Sequence, residues 1–177
     1  IIVWGGEPLI YPSISKILHR LKDSGFEISL ITNGVRLAEN HELINETVKT
    51  LFVSMDGNKQ THEKLRGVEG IYDRIAAGLK LVDKSKINLS CLYTICEQNF
   101  EQLPVFPFEA AKLGFSQVIY QNLIYCSSAQ SEQRHEMNLQ YFNVKEGFMK
   151  PWVSDSFGSW IEKLPEVVRQ FEHSKSK

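Results

Sequence analysis

Short apolar runs alternate with segments of helical periodicity along most of the chain. The apolar runs predict five strands, at 1–4, 26–32, 50–55, 87–95 and 115–121. Between them apolar residues recur at helical spacing, which predicts helices over 14–24, 38–48, 71–82 and 105–113. Parallel neighbours need long crossovers, and nearly continuous apolar strands are typical of sheets covered on both faces. The pattern predicts an α/β fold, and periodicity alone leaves a barrel and an open sheet as alternatives.

Two polar stretches between the predicted strands have a weaker helical periodicity. Residues 62–70 predict a polar turn, in which His62 is as compatible with capping the turn as with catalysis. The spacing Asn99-x-x-Gln102 resembles a capping box, opening a helix that the prolines at 104 and 107 displace towards 105–113.

The last third of the chain follows a looser pattern. Residues 127–151 are polar and aromatic, which is typical of a long loop or a substrate-facing insertion. A helix with a break or kink at Pro165 is predicted over 155–174. We expect 1–125 to form the core, and 126–177 to add a loop or insertion and a C-terminal helix to the same domain.

Composition narrows the class of protein. The 177 residues are 42% hydrophobic and 23% charged, which fits a globular chain. A net charge of −1 gives no electrostatic case for binding nucleic acid, and no apolar run suits a membrane helix. Three cysteines, Cys91, Cys96 and Cys126, are too few for a disulfide framework, which favours a cytoplasmic setting. The chain has no initiator Met and ends where a further strand is expected, so we expect a fragment truncated at both ends.

Small and polar residues gather where the predicted strands end. Active sites of parallel α/β folds lie at the carboxyl ends of strands, so this edge is the candidate site. Two glycines followed by Pro8 allow a ligand close to rigid backbone, although a plain strand-to-helix turn explains them equally well. The segments at this edge are Gly5-Gly6-Glu7-Pro8, Thr32-Asn33-Gly34, Ser54-Met55-Asp56-Gly57, 94–99 and Tyr120-Gln121-Asn122.

Four of these elements, in this order, resemble the radical S-adenosylmethionine (radical SAM) enzyme superfamily. They are Gly5-Gly6-Glu7-Pro8-Leu9 after a strand, Thr32-Asn33-Gly34, Ser54-Met55-Asp56-Gly57, and His62 with Arg66-Gly67-x-x-Gly70-x-Tyr72. The resemblance covers residues 1–125. It implies a partial TIM-type (β/α)6 barrel with parallel strands, running from the family's second strand to its sixth.

The resemblance also implies roles for individual residues. The Gly-Gly-Glu-Pro segment would receive the amino group of the cofactor, Ser54 and Asp56 would contact its ribose or carboxylate, and Arg66 would grip the carboxylate. Backbone at 95–99 and 121–123 would cradle the adenine. The predicted cofactor-binding residues are Gly5, Gly6, Glu7, Pro8, Thr32, Asn33, Ser54, Asp56 and Arg66.

The implied activity is the reductive cleavage of S-adenosylmethionine through a [4Fe-4S] cluster, which makes a 5′-deoxyadenosyl radical. The family's C-x-x-x-C-x-x-C triplet is absent, and Cys91, Cys96 and Cys126 do not match it. We therefore expect the cluster ligands upstream, no metal ligand in this chain, and no activity from the chain alone. The implied partners are an electron donor such as flavodoxin or ferredoxin and a small-molecule or peptide substrate that the sequence does not identify.

Two other functions compete with this interpretation. A (β/α)-barrel enzyme of another type, such as a sugar-phosphate aldolase or isomerase, predicts a late phosphate-binding glycine turn and a catalytic lysine or carboxylate pair. The predicted strand ends contain no lysine, which disfavours that enzyme. A non-catalytic binding module derived from a barrel is the third alternative, and a cysteine triplet upstream would exclude it.

Overall fold

The alternation predicted from the sequence is present in the computed structural model, which describes residues 1–122, 125–126, 128–142, 152–153 and 161–174. The strands are β1 (Ile2–Val3), β2 (Ser29–Thr32), β3 (Thr50–Ser54), β4 (Asn88–Ile95), β5 (Gln117–Asn122), β6 (Tyr125–Cys126) and β7 (Trp152–Val153). The helices are α1 (Ile14–Asp23), α2 (Leu37–Thr47), α3 (Lys59–Arg66), α4 (Ile71–Leu79), α5 (Phe106–Leu113), α6 (Ser128–Phe142) and α7 (Leu164–Ser174). Short 3₁₀ turns lie at Pro8–Ile10, Phe100–Gln102 and Ile161–Lys163.

Strands β1 to β5 form one open sheet in sequential order, and they run parallel. The α/β class is confirmed. The chain divides into two compact units, Ile1–Gln121 and Asn122–Lys177. The first unit contains the sheet as far as Gln121, and the second contains a parallel pair in which Tyr125 lies opposite Trp152.

One face of the sheet is the core. The register places Leu30, Leu51 and Leu89 side by side on β2, β3 and β4, and each is at most 2% exposed. The alternate side chains of β2 and β3 are half-buried. Ile75 of α4 lies near Val53 on the core face, since both would contact a methyl group placed on Gly34. Helix α4 therefore packs on this face, and the opposite face of β2 and β3 is more open.

The predicted turn at 62–70 is wrong over its first half, because α3 ends at Arg66. The side chain of Asn58 accepts a hydrogen bond from the Thr61 N–H and caps the start of this helix. Gly67, in the left-handed conformation, ends it. Only His62 of the eight helical residues is buried, so the sequence has no apolar stripe to reveal the helix.

Two predictions in the second unit are also wrong. Helix α6 occupies much of the stretch predicted as a long loop or an insertion, so a loop without secondary structure is wrong there. Its residues have adequate helix propensity but form no strong apolar stripe. The predicted helix over 155–174 is α-helical only from Leu164 among the described residues, after a 3₁₀ turn at Ile161–Lys163, so Pro165 lies in the first α-helical turn, where its missing N–H costs nothing. Residues 155–160, which were included in that predicted helix, are outside the described residues. No helix in the described ranges is both long and apolar enough to cross a membrane.

Gly25 and Gly34 offer a matched test of the packing around β2. Both have φ of +81°, but an added Cβ at Gly25 meets no atom within 4 Å, whereas at Gly34 it would lie 2.7 Å from a Val53 methyl group. We expect Gly25→Ala to cost only the conformational term, about 1–2 kcal/mol. Gly34→Ala should lose about a further 1–3 kcal/mol to overpacking. Chemical denaturation measures both, and equal losses would contradict this packing.

Candidate functional site

The turn after β1 is held by the carboxylate of Glu7. One oxygen accepts hydrogen bonds from the Leu9 N–H at 3.1 Å and the Thr32 hydroxyl at 2.6 Å, and the other accepts from the Asn33 N–H at 2.7 Å. The Thr32 hydroxyl in turn accepts from the Gly34 N–H. Glu7 therefore joins the carboxyl ends of β1 and β2, and its own hydrogen-bonding capacity is largely used.

A second carboxylate, that of Asp56, joins the ends of β3 and β4. Backbone pairing between these strands continues to the bond from the Met55 N–H to the Leu92 carbonyl. Beyond it, one Asp56 oxygen accepts from the Thr94 N–H at 3.0 Å. The other oxygen accepts from Nε of Arg66 at 2.8 Å and lies 2.6 Å from its Nη2. Asp56 is 4% exposed, so the charge is buried together with its partner.

Asn99, in the turn after β4, makes further hydrogen bonds between the ends of β3 and β4. Its Oδ1 accepts from the Cys96 N–H at 2.7 Å, and its Nδ2 donates to the carbonyls of Asp56 at 3.0 Å and Thr94 at 2.8 Å. The buried Tyr93 hydroxyl donates to the Asn99 carbonyl. The predicted capping box is therefore wrong, because the Asn99 side chain makes no cap bond and instead holds the end of β4 to the end of β3.

His62 completes the buried cluster beneath this edge. Its Nδ1 accepts from the Asp56 N–H at 3.1 Å, so a neutral ring carries its proton on Nε2. That Nε2 is buried, and no partner for it exists in the part of the chain that the structure describes. Burial lowers the pKa of His62 from 6.5 to about 4, against the attraction of Asp56 and helped by the positive charge of Arg66. The imidazole is therefore neutral near pH 7.

Three features of this edge remain available to a ligand. A methyl group placed on Gly6 would meet no atom within 4 Å, so the backbone there faces open space. The half-buried Ser54 hydroxyl makes no hydrogen bond to any described residue, and it lies on the more open face of β3. Arg66 contacts Asp56 through Nε and Nη2. Its side chain is 35% exposed, and the Nη1 end of the guanidinium remains available to a ligand. These groups suit an amino-acid moiety, since carbonyl oxygens accept from an ammonium and a guanidinium binds a carboxylate.

The model of the Radical SAM superfamily matches residues 1–106, well over half of the chain. The chain belongs to the radical SAM superfamily. The matched segment contains both strand-end carboxylates, Gly6, Ser54, Arg66 and the turn after β4.

Individual relatives agree with this membership. The chain is 34% identical to the AdoMet-dependent heme synthase of Methanosarcina barkeri over 115 residues, 63% of this chain and 33% of that protein. It is 29% identical to the pre-heme d1 synthase of Dinoroseobacter shibae over 106 residues, 59% of this chain and 26% of that protein. It therefore spans about a third or less of these curated relatives.

Solved structures extend the likeness to the fold. The structure of SuiB from Streptococcus suis gives a TM-score of 0.64 at 15% identity, covering 98% of this chain and 36% of that chain. This confirms the expected partial barrel of parallel strands, of which the five-stranded open sheet is part.

The structure brings the sequence-predicted site residues of this radical SAM chain into two groups. Glu7, Thr32 and Asn33 interact at the ends of β1 and β2, and Asp56 pairs with Arg66 beside β3. Of the backbone predicted to cradle adenine, 95–99 forms the turn held by Asn99, and residue 123 is outside the described residues. The sequence did not reveal the roles of Asn99 and Thr94, because the position of a polar residue near a strand end does not indicate which residue it will contact in the fold.

The buried His62 predicts a specific dependence of stability on pH. Its folded pKa lies below its unfolded value of 6.5, so the unfolded state binds the proton more readily as pH falls towards 4. The free energy of unfolding should fall over this window, with a slope of up to about 1.4 kcal/mol per pH unit from this group. His62→Asn keeps an acceptor for the Asp56 N–H but does not titrate. Denaturation of both proteins between pH 4 and 6.5 should show the shallower slope in the variant, and identical slopes would contradict a neutral buried imidazole.

Proposed function

We propose that the whole protein is a radical SAM enzyme and that this chain supplies the part of its site that holds the amino-acid end of S-adenosylmethionine. The observation that carries the proposal is the edge at the ends of β1 to β4, inside the segment that matches the family. There the carboxylates of half-buried Glu7 and buried Asp56 are engaged within the protein, while backbone, a hydroxyl and one guanidinium edge face outward. That is the donor and acceptor set an amino acid needs.

The turn after β1 would receive the ammonium group. No hydrogen bond to the carbonyl oxygens of Gly5 and Gly6 is made by the residues described, so both can accept from a ligand. Pro8 opens the 3₁₀ turn that follows and fixes its exit. Glu7, Thr32 and Asn33 would act indirectly, because their contacts hold this turn against β2.

The carboxylate would be bound beside β3. Arg66 presents the outer edge of its guanidinium there, and Ser54 adds a hydroxyl on the more open face. Asp56 would position Arg66, since a buried carboxylate that contacts Nε and Nη2 fixes the plane of the guanidinium. A positively charged group fixed before binding loses little conformational freedom when the ligand arrives.

The iron–sulfur cluster would be held elsewhere in the whole protein. Iron–sulfur clusters are bound by cysteine thiolates, but Cys91 and Cys96 are buried, and burial raises the pKa of both thiols, to about 12 for Cys91. Within the described ranges no three metal-binding side chains stand together. We propose that the cluster's cysteines lie outside these 177 residues.

When bound, S-adenosylmethionine and a reduced cluster would supply a 5′-deoxyadenosyl radical that takes a hydrogen atom from the substrate. An electron donor such as flavodoxin or ferredoxin and a small-molecule or peptide substrate complete the proposal. The names of the two relatives point to haem chemistry, but this chain spans too little of those proteins to carry over their substrates.

The Gly6→Val variant tests this function in the whole protein with its cluster reconstituted. The wild type should bind S-adenosylmethionine and release 5′-deoxyadenosine on reduction. Because a Cβ added at Gly6 meets no atom within 4 Å and the backbone there needs no positive φ, the variant should keep the wild-type unfolding temperature. It should bind the cofactor at least about tenfold more weakly, since the side chain would occupy the space that the ligand needs. A folded variant with unchanged affinity would move the ammonium site elsewhere, and a wild type that neither binds nor cleaves the cofactor would exclude the function.

The Asp56–Arg66 pair predicts which substitutions weaken carboxylate binding. Arg66→Ala should weaken S-adenosylmethionine binding by about ten- to a hundredfold, the loss of one charge-assisted contact. Arg66→Lys should recover little, because an ammonium cannot reproduce the planar fork. Asp56→Asn keeps an oxygen for the Thr94 N–H but directs amide hydrogens at the guanidinium, so it should resemble Arg66→Ala.

Asp73→Asn is the matched control for that series. It removes an exposed carboxylate that pairs with Lys59, on the helix after α3. Calorimetric titration should show wild-type affinity for this control. If Asp56→Asn bound as tightly as Asp73→Asn, the positioning role of Asp56 would be disproved.

A further inference from the structure

The turn after β4 contacts the segment after β3 at a second point, through Gln102. Its Oε1 accepts from the Asn58 N–H at 2.9 Å, and its Nε2 donates to the Thr61 hydroxyl. Asn58 is the residue that caps α3, and Thr61 lies in the first turn of that helix. Gln102 therefore holds the start of α3 from the side of β4.

Asn99 and Gln102 thus act on the same short segment from one 3₁₀ turn. Asn99 bonds the carbonyl of Asp56, and Gln102 bonds the main chain two residues later. Between these two points there is no spare room, since a methyl group placed on Gly57 would lie 2.7 Å from Oε1 of Gln102. The two amides, which the sequence suggested as a capping box, form a two-point clamp on residues 56–61.

The clamp holds both ends of the Asp56–Arg66 contact. Arg66 is the last residue of α3, so its backbone position depends on where that helix begins. Asp56 sits at the first point of the clamp, and the start of α3 sits at the second. A shift of either point changes the distance between the carboxylate and the guanidinium, which is 2.6 Å at its shortest.

We propose that Asn99 and Gln102 are positioning residues that set the geometry of Arg66 for the cofactor's carboxylate. This inference rests on the proposed function and deepens it. A residue that merely stabilised the fold would change the unfolding temperature and leave the affinity of the folded protein unchanged. A positioning residue changes that affinity, and does so only while Arg66 is present.

Conservative substitutions separate the two amides by their chemistry. Gln102→Glu should be tolerated, because its carboxylate still accepts from the Asn58 N–H and the Thr61 hydroxyl can reverse to become the donor. Asn99→Asp should not be tolerated, because Nδ2 of Asn99 donates to two carbonyls and a carboxylate would face both with no hydrogen to give. Glu101→Gln, an exposed side chain on the same turn, is the control.

The test is a thermodynamic cycle measured by calorimetric titration of S-adenosylmethionine into the reconstituted whole protein. Gln102→Leu should weaken binding by about five- to tenfold in the wild-type background and by less than about twofold in the Arg66→Ala background. Gln102→Glu and Glu101→Gln should bind like the wild type. If Gln102→Leu does not fold, Thr61→Val removes only one of the two bonds and enters the same cycle.

The outcomes separate the inference from the function it rests on. A wild type that binds while the clamp variants lose the same factor in both backgrounds, or lose nothing, overturns the clamp and leaves the function standing. A wild type that does not bind overturns both. Loss of affinity confined to proteins that retain Arg66, with recovery in Gln102→Glu, supports the clamp.

Discussion

The carboxylate of Asp56 replaces a backbone hydrogen bond that the sheet can no longer make, and the candidate site depends on that replacement. After Met55 the chain of β3 turns away, while β4 continues and still directs N–H groups towards it. A buried donor without a partner costs about 1–3 kcal/mol. Asp56 satisfies the donor of Thr94, and Asn99 satisfies that of Cys96. The two strand ends can therefore separate without leaving buried donors unpaired.

A carboxylate also joins the ends of β1 and β2. Glu7 follows β1 as Asp56 follows β3, and each carboxylate accepts an N–H from the neighbouring strand end. The hydrogen bonds of Glu7 and Asp56 are therefore used within the protein. The groups that remain exposed beside them are the neutral backbone at Gly6 and the outer edge of Arg66. In the proposed site, the acidic residues at this edge would hold the groups that face the ligand rather than face it themselves.

Sequence patterns located this edge but not the contacts within it. Strand ends and the Gly-Gly-Glu-Pro turn could be predicted, because apolar runs and glycines report backbone directly. Helix α3 could not, since one buried residue, His62, creates no periodicity. The role of Asn99 could not be predicted either, because the spacing Asn99-x-x-Gln102 fits a capping box as well as the two contacts that these side chains make with residues 56–61. Which partner a polar side chain finds depends on β3 and β4 lying side by side, and the residues that meet there are 43 positions apart.

A buried polar cluster of this kind makes the site rigid, and it also makes the site intolerant of substitutions within the cluster. Within the cluster Asp56 uses its N–H, its carbonyl and both carboxylate oxygens, so no member can move without breaking a bond in a low-dielectric interior. His62 can serve as the acceptor for the Asp56 N–H only while neutral, and burial keeps it neutral. The guanidinium of Arg66 therefore has its orientation before any ligand arrives. In the proposed site, a guanidinium held in this way would contribute affinity for an anion through the conformational entropy it no longer has to lose, as well as through its charge.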